Sequence, residues 1–94
     1  VPSIKSLIIQ VIKNEHQKGL EFVPLQTIYE EVEKIVAEEN LSYKMDTFRN
    51  SIRGELNKHE TNSNHPDNMD LFIRSLKKKV YYFLTEKGLV YLGR

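Results

Sequence analysis

The chain has 94 residues, 39% hydrophobic and 29% charged, which fits one small globular domain and excludes a large multidomain enzyme. It has no cysteine, which excludes a disulfide scaffold, a thiolate metal site and a cysteine nucleophile, and fits a reducing, cytoplasmic setting. No apolar run approaches the roughly 20 residues that cross a bilayer, so no membrane partner is expected. The Val1-Pro2 start, with no signal-peptide pattern, reads as residues 1–94 forming a single domain excised from a longer chain.

A formal net charge of +1 hides a division at Tyr43. Residues 1–43 carry four basic against seven acidic groups, a net of −3, while residues 44–94 carry ten against six, a net of +4. Such asymmetry points to an anionic partner for the basic half, although solvated charge gives the same imbalance. The arrangement of the charges has to decide.

Ser3 precedes Ile4, Leu7, Ile8, Val11 and Ile12 at helical spacing and can cap a first helix, which Gly19 ends. Pro24 interrupts the short apolar stretch Leu20 to Val23 and opens a second helix. There Leu25, Ile28, Tyr29, Val32, Ile35 and Val36 form one apolar stripe, and Glu30, Glu31, Glu33 and Glu38 make the outer face acidic. Asn40 is a helix stop. The helical period resumes with Met45, Phe48, Ile52, Leu56 and His59 in a third helix, for which Ser42 and Asp46 are alternative caps.

Residues 60–70, ETNSNHPDNMD, are dense in turn formers and read as a loop. Leu71 to Arg74 and Val80 to Leu84 are β-prone and read as two antiparallel strands joined by a basic tip, with Phe72, Val80, Tyr82 and Leu84 facing inward. Thr85 caps a last segment, read as a short helix in preference to a third strand. The fold class expected is mainly α with a small antiparallel β hairpin. The element order is that of a winged helix-turn-helix, in which three helices and the inner side of the hairpin bury one core.

In helix-turn-helix proteins the second helix of the motif enters the major groove, a role that falls here to the third helix. At about 100° per residue, its far side presents Thr47, Asn50, Arg53, Gly54, Asn57 and Lys58, with Arg49 on the flank. Arginine bonds guanine bidentately and asparagine does so with adenine, so Asn50, Arg53 and Asn57 are the candidate base contacts. Arg49, Lys58, Lys77, Lys78 and Lys79 are the candidate contacts to the DNA backbone. Gly54 costs about 1 kcal/mol relative to alanine in a helix interior, and either a close ligand or tight packing on a neighbouring helix would account for it.

The stretch TFRNSIRGELNKH from Thr47 to His59, followed by a polar loop and then DLFIR and VYYFL, resembles winged-helix modules of restriction endonucleases. Arg49, Ile52, Arg53, Leu56 and His59 carry that likeness. YYFLTEKG, residues 81–88, is similar to the last wing strand and turn of many bacterial winged-helix proteins. The resemblance covers about half the chain and departs from such modules in having Tyr81 and Tyr82 and no Trp. It implies the target-reading part of a prokaryotic restriction enzyme whose cutting domain is not in this sequence, including the BisI-like enzymes that require 5-methylcytosine. A methyl read by apolar contact would meet Tyr43 or Met45, although the stripe position of Met45 favours the core.

Chemistry of other kinds lacks its residues. His16, His59 and His65 with Asp67 and Asp70 have no metal-ligand spacing, and there is no phosphate loop, nucleophile elbow or nuclease signature, so neither cofactor nor catalysis is expected of these residues. His59 reads as a boundary residue touching the core or a carbonyl, with a phosphate contact as the alternative. Tyr81 is a surface candidate for base stacking. The rival function is a protein-binding winged helix that uses the acidic face of its second helix. Duplex DNA is the expected partner.

Overall fold

In the computed structural model, which describes residues 2–76 and 79–91, Ser3 caps helix α1 (Ile4–Gln17), its hydroxyl accepting the Ser6 N–H at 3.1 Å. The other end closes on Gly19 at φ 97°, where Gly19 N–H donates to His16 O and Leu20 N–H to Glu15 O. These paired bonds satisfy the last carbonyls of the helix, and the left-handed residue between them favours glycine. Helix α2 (Leu25–Glu38) ends the same way on Asn40 at φ 51°, whose N–H reaches Ala37 O while Leu41 N–H reaches Val36 O. Both sequence stops are real.

Helix α3 (Phe48–Lys58) begins differently from expectation. A 3-10 turn, Met45–Thr47, leads into it, Thr47 holds the cap position without a side-chain bond, and neither Ser42 nor Asp46 supplies one. Because that turn winds more tightly than an α-helix, Met45 falls off the apolar stripe and is 47% exposed, not buried in the core.

Strands β2 (Phe72–Leu76) and β3 (Val80–Leu84) form the expected antiparallel hairpin, with Phe72 opposite Leu84 and Leu76 opposite Val80. A third strand, β1 (Val23–Pro24), pairs antiparallel with Tyr82 and Tyr81 of β3, giving the order β1-β3-β2. Pro24 is tolerated because β1 is an edge strand. Helix α4 (Glu86–Val90) is capped by Thr85, whose hydroxyl accepts the Gly88 N–H at 3.0 Å. Gly88 allows α4 to lie against the root of β2, since a Cβ there would stand 2.4 Å from Leu71 O.

One core joins these parts. Leu7, Ile8, Val11 and Ile12 of α1 pack with Ile28 and Val32 of α2, with Phe48, Ile52 and Leu56 of α3, and with Val23, Phe72 and Tyr82 of the sheet. Each of the larger aliphatic side chains contributes about 1.5–3 kcal/mol of transfer free energy when fully buried. The protein is thus mainly α with a small antiparallel sheet, and no helix among the described residues is long and apolar enough to cross a membrane.

Candidate nucleic-acid interface

Because Phe48, Ile52 and Leu56 are fixed inward, the opposite side of α3 is forced into solvent. Asn50, Arg53, Gly54 and Asn57 are all exposed there, and the side chains of Asn50, Arg53 and Asn57 make no hydrogen bond or ion pair among the described residues. Thr47 is exposed at the head of this face. Lys58 is half-buried at its foot, 3.9 Å from Glu55 and too far for a hydrogen bond. The surface therefore offers amide and guanidinium donors that no group of the fold consumes. Among the described residues a Cβ on Gly54 would meet nothing within 4 Å, so packing against α1, α2 or α4 is not the reason for that glycine.

Arg49 stands apart from this face. Its Nε donates to Glu33 Oε2 at 2.8 Å and its Nη2 to Glu33 Oε1 at 2.9 Å, while the guanidinium lies 5.0 Å from the centre of the Tyr29 ring. These hydrogen bonds hold the Glu33 carboxyl below its ordinary range. A phosphate would have to compete with a bidentate carboxylate for this side chain. Glu30, Glu31 and Glu38 leave the rest of the α2 face acidic.

The hairpin side has one described basic residue of the tip, Lys79, which is exposed; Lys77 and Lys78 lie outside the described residues. Arg74, exposed on β2, adds a cation that the sequence reading did not single out. Its alternation with buried Phe72 places it on the same side of the strand.

Of the two methyl-contact candidates, Tyr43 is occupied by the fold. Its ring stands 5.1 Å from that of Phe48, its hydroxyl donates to Pro2 O, and burial pushes its pKa up. Met45, the one expected inside, is the one that is open to solvent.

His59 does not face phosphate. It is 2% exposed, its Nδ1 accepts the Met69 N–H at 3.0 Å, and its carbonyl accepts both Leu71 N–H at 2.8 Å and Phe72 N–H at 3.1 Å. Nδ1 as acceptor places the proton on Nε2. Burial, followed by the Lys5 cation, pushes the imidazole below its ordinary value. His16 is likewise structural, with Nδ1 donating to Leu20 O at 2.9 Å and Nε2 accepting Leu84 N–H at 3.4 Å. Among the described residues no three His, Asp or Glu side chains gather in a way that could hold a metal ion.

The outward side of the sheet holds what the sequence reading missed. Phe22 stands edge-on to Phe83 at 5.3 Å and to Tyr81 at 6.5 Å, and a groove of about 350 Å³ lined by Leu20, Glu21, Phe22, Ser75 and Tyr81 runs beside them. The alternation of β3 already turns Tyr81 and Phe83 away from Tyr82, but the arrival of Phe22 depends on the pairing of β1. Tyr81 is therefore half-buried among aromatics. No family model, curated protein or solved structure matches this chain.

Proposed function

We propose that this chain is a winged-helix domain that reads double-stranded DNA, with α3 in the major groove and the β2–β3 hairpin against phosphates. The observation that carries the reading is the shared outward face of Asn50, Arg53 and Asn57, three exposed side chains with base-reading chemistry and no partner among the described residues. The division of charge supports it, since an acidic α2 face and a basic α3 and hairpin orient the domain on a polyanion. Asn50, Arg53 and Asn57 contact bases, and Lys58 and Lys79 contact the backbone together with Lys77 and Lys78. The likeness of residues 47–59 to restriction-enzyme modules supports reading this domain as the target reader of a restriction endonuclease, with 5-methylcytosine as a candidate feature of the target. Exposed Met45 is the side chain available to a pyrimidine methyl.

The deciding experiment is fluorescence anisotropy of the purified chain with plain and cytosine-methylated duplexes across a salt series. Affinity that falls steeply with salt and differs between duplexes supports the reading. Absence of binding at low salt removes it.

A second reading is favoured by the outward sheet face, where Leu20, Phe22, Tyr81 and Phe83 form an apolar surface of the kind that docks another polypeptide. It predicts an interaction insensitive to salt and lost on Phe22→Ser. The acidic α2 face, where Arg49 engages Glu33 and leaves Glu30, Glu31 and Glu38, stands beside it as the other protein-binding surface.

A further inference from the structure

Glycine in a helix interior is disfavoured relative to alanine, so an interior glycine is expected where a side chain would collide with something. Gly54 is the seventh residue of the eleven in α3, and among the described residues a Cβ there collides with nothing. The residues around it are not neutral filler. On the helix surface Asn50 lies one turn before it, Lys58 one turn after and Asn57 beside it, with Arg53 about 100° round the helix. The result is a bare strip of helix backbone ringed by four donor-bearing side chains.

We infer that Gly54 is the point of closest approach between α3 and its nucleic-acid ligand, so that the helix lies along the groove with its middle, and not its first turn, against the base edges. This rests on the duplex-binding reading above and adds a geometry to it. Contact at the first turn would place Arg49 in the interface, yet that side chain is turned to Glu33. Contact at the middle uses Asn50, Arg53 and Asn57, which have no partner among the described residues, together with Lys58, held only loosely by Glu55 at 3.9 Å.

The geometry also bounds the target. Asn50 and Asn57 are seven residues apart, which at about 1.5 Å per residue separates them by about 10 Å along the helix, the rise of about three base-pair steps at 3.4 Å each. Arg53 and Gly54 fall between them. The ligand class is therefore a duplex read over three or four consecutive base pairs, with adenine favoured opposite each asparagine and guanine opposite Arg53 between them.

The test uses the whole chain and its Gly54→Ala variant, with a duplex selected by the unsubstituted chain from a randomised pool. Alanine should raise the melting temperature by several degrees, because it improves the helix without touching the core. The same change should weaken binding of the selected duplex by at least about tenfold, since a methyl-sized obstacle then stands at the contact point. Single-pair substitutions in the duplex should show their losses within three or four adjacent positions. A variant that is more stable and binds as tightly as the parent overturns the inference and leaves the duplex-binding reading standing, as do losses spread over a longer stretch. An unsubstituted chain that selects no duplex overturns the reading first and this inference with it.

Discussion

Arg49 and Glu33 meet through two parallel hydrogen bonds of 2.8 and 2.9 Å, and so the one cation on the flank of α3 is joined to the acidic face of α2. The pair is a local neutralisation. It takes a positive charge out of the surface that α3 offers and leaves the other groups of its far side to meet a ligand.

Removing the carboxylate should therefore release the guanidinium. Glu33→Gln is expected to strengthen duplex binding and to steepen the dependence of log K on log salt by about one, as one more phosphate contact becomes available. Arg49→Ala in the parent background should leave that slope unchanged. Anisotropy titrations at several salt concentrations check both, and a slope that falls by one in Arg49→Ala would show the arginine already on phosphate.

Specific and general contacts should separate by variant. Arg53→Ala is expected to relax discrimination between duplexes by about 1–3 kcal/mol, whereas Lys79→Ala should weaken all duplexes alike and lower the salt slope by about one. Competition titrations against a panel of duplexes distinguish the two. Unchanged affinity and preference in Arg53→Ala would remove this side chain from the interface.

Acid should loosen the fold through His59. The folded state disfavours the charged ring, so the folded pKa lies below the ordinary 6.5. Fewer protons are then bound folded than unfolded, and the stability from the neutral ring is complete above about pH 6.5 and lost as pH falls through the folded pKa. Lys5, Lys58 and His65 oppose the charged form and Glu55 favours it, and protonated Nδ1 could no longer accept the Met69 N–H. His59→Asn keeps an acceptor on a non-titrating side chain and should flatten this dependence between pH 7.5 and pH 5. Urea midpoints measured across that range for both proteins give the comparison, and equal slopes would exonerate the histidine.

What was legible in the sequence was local. Ser3, Gly19, Asn40 and Thr85 act through bonds to residues three to five positions away, so their spacing alone announces them. The stripes of α1, α2 and α3 were legible because a period of about 3.6 residues fixes which side is buried. Met45 escaped that logic, since a 3-10 turn advances about 120° per residue and a projection at 100° drifts off the face. The rest is long-range. β1 has two residues and exists only because Tyr81 and Tyr82 come to meet it, and Glu33 finds Arg49 across sixteen positions of chain. The outward direction of Asn50, Arg53 and Asn57 followed from the stripe, whereas the openness around Gly54 required knowing where every other helix had gone.

The residue that caps the C-terminal end of α3 also governs how a ligand would be met. His59 closes the helix and gives its carbonyl to Leu71 and Phe72, the first residues of the hairpin, while its ring seizes the backbone of Met69 just before them. Helix and hairpin are consequently coupled at a buried hub, which the Thr61 N–H to Phe72 O bond extends, instead of hanging from opposite ends of an eleven-residue loop. Whatever docks on one receives the other already aimed, and the entropy of orienting two separate arms has been surrendered during folding, before any encounter takes place.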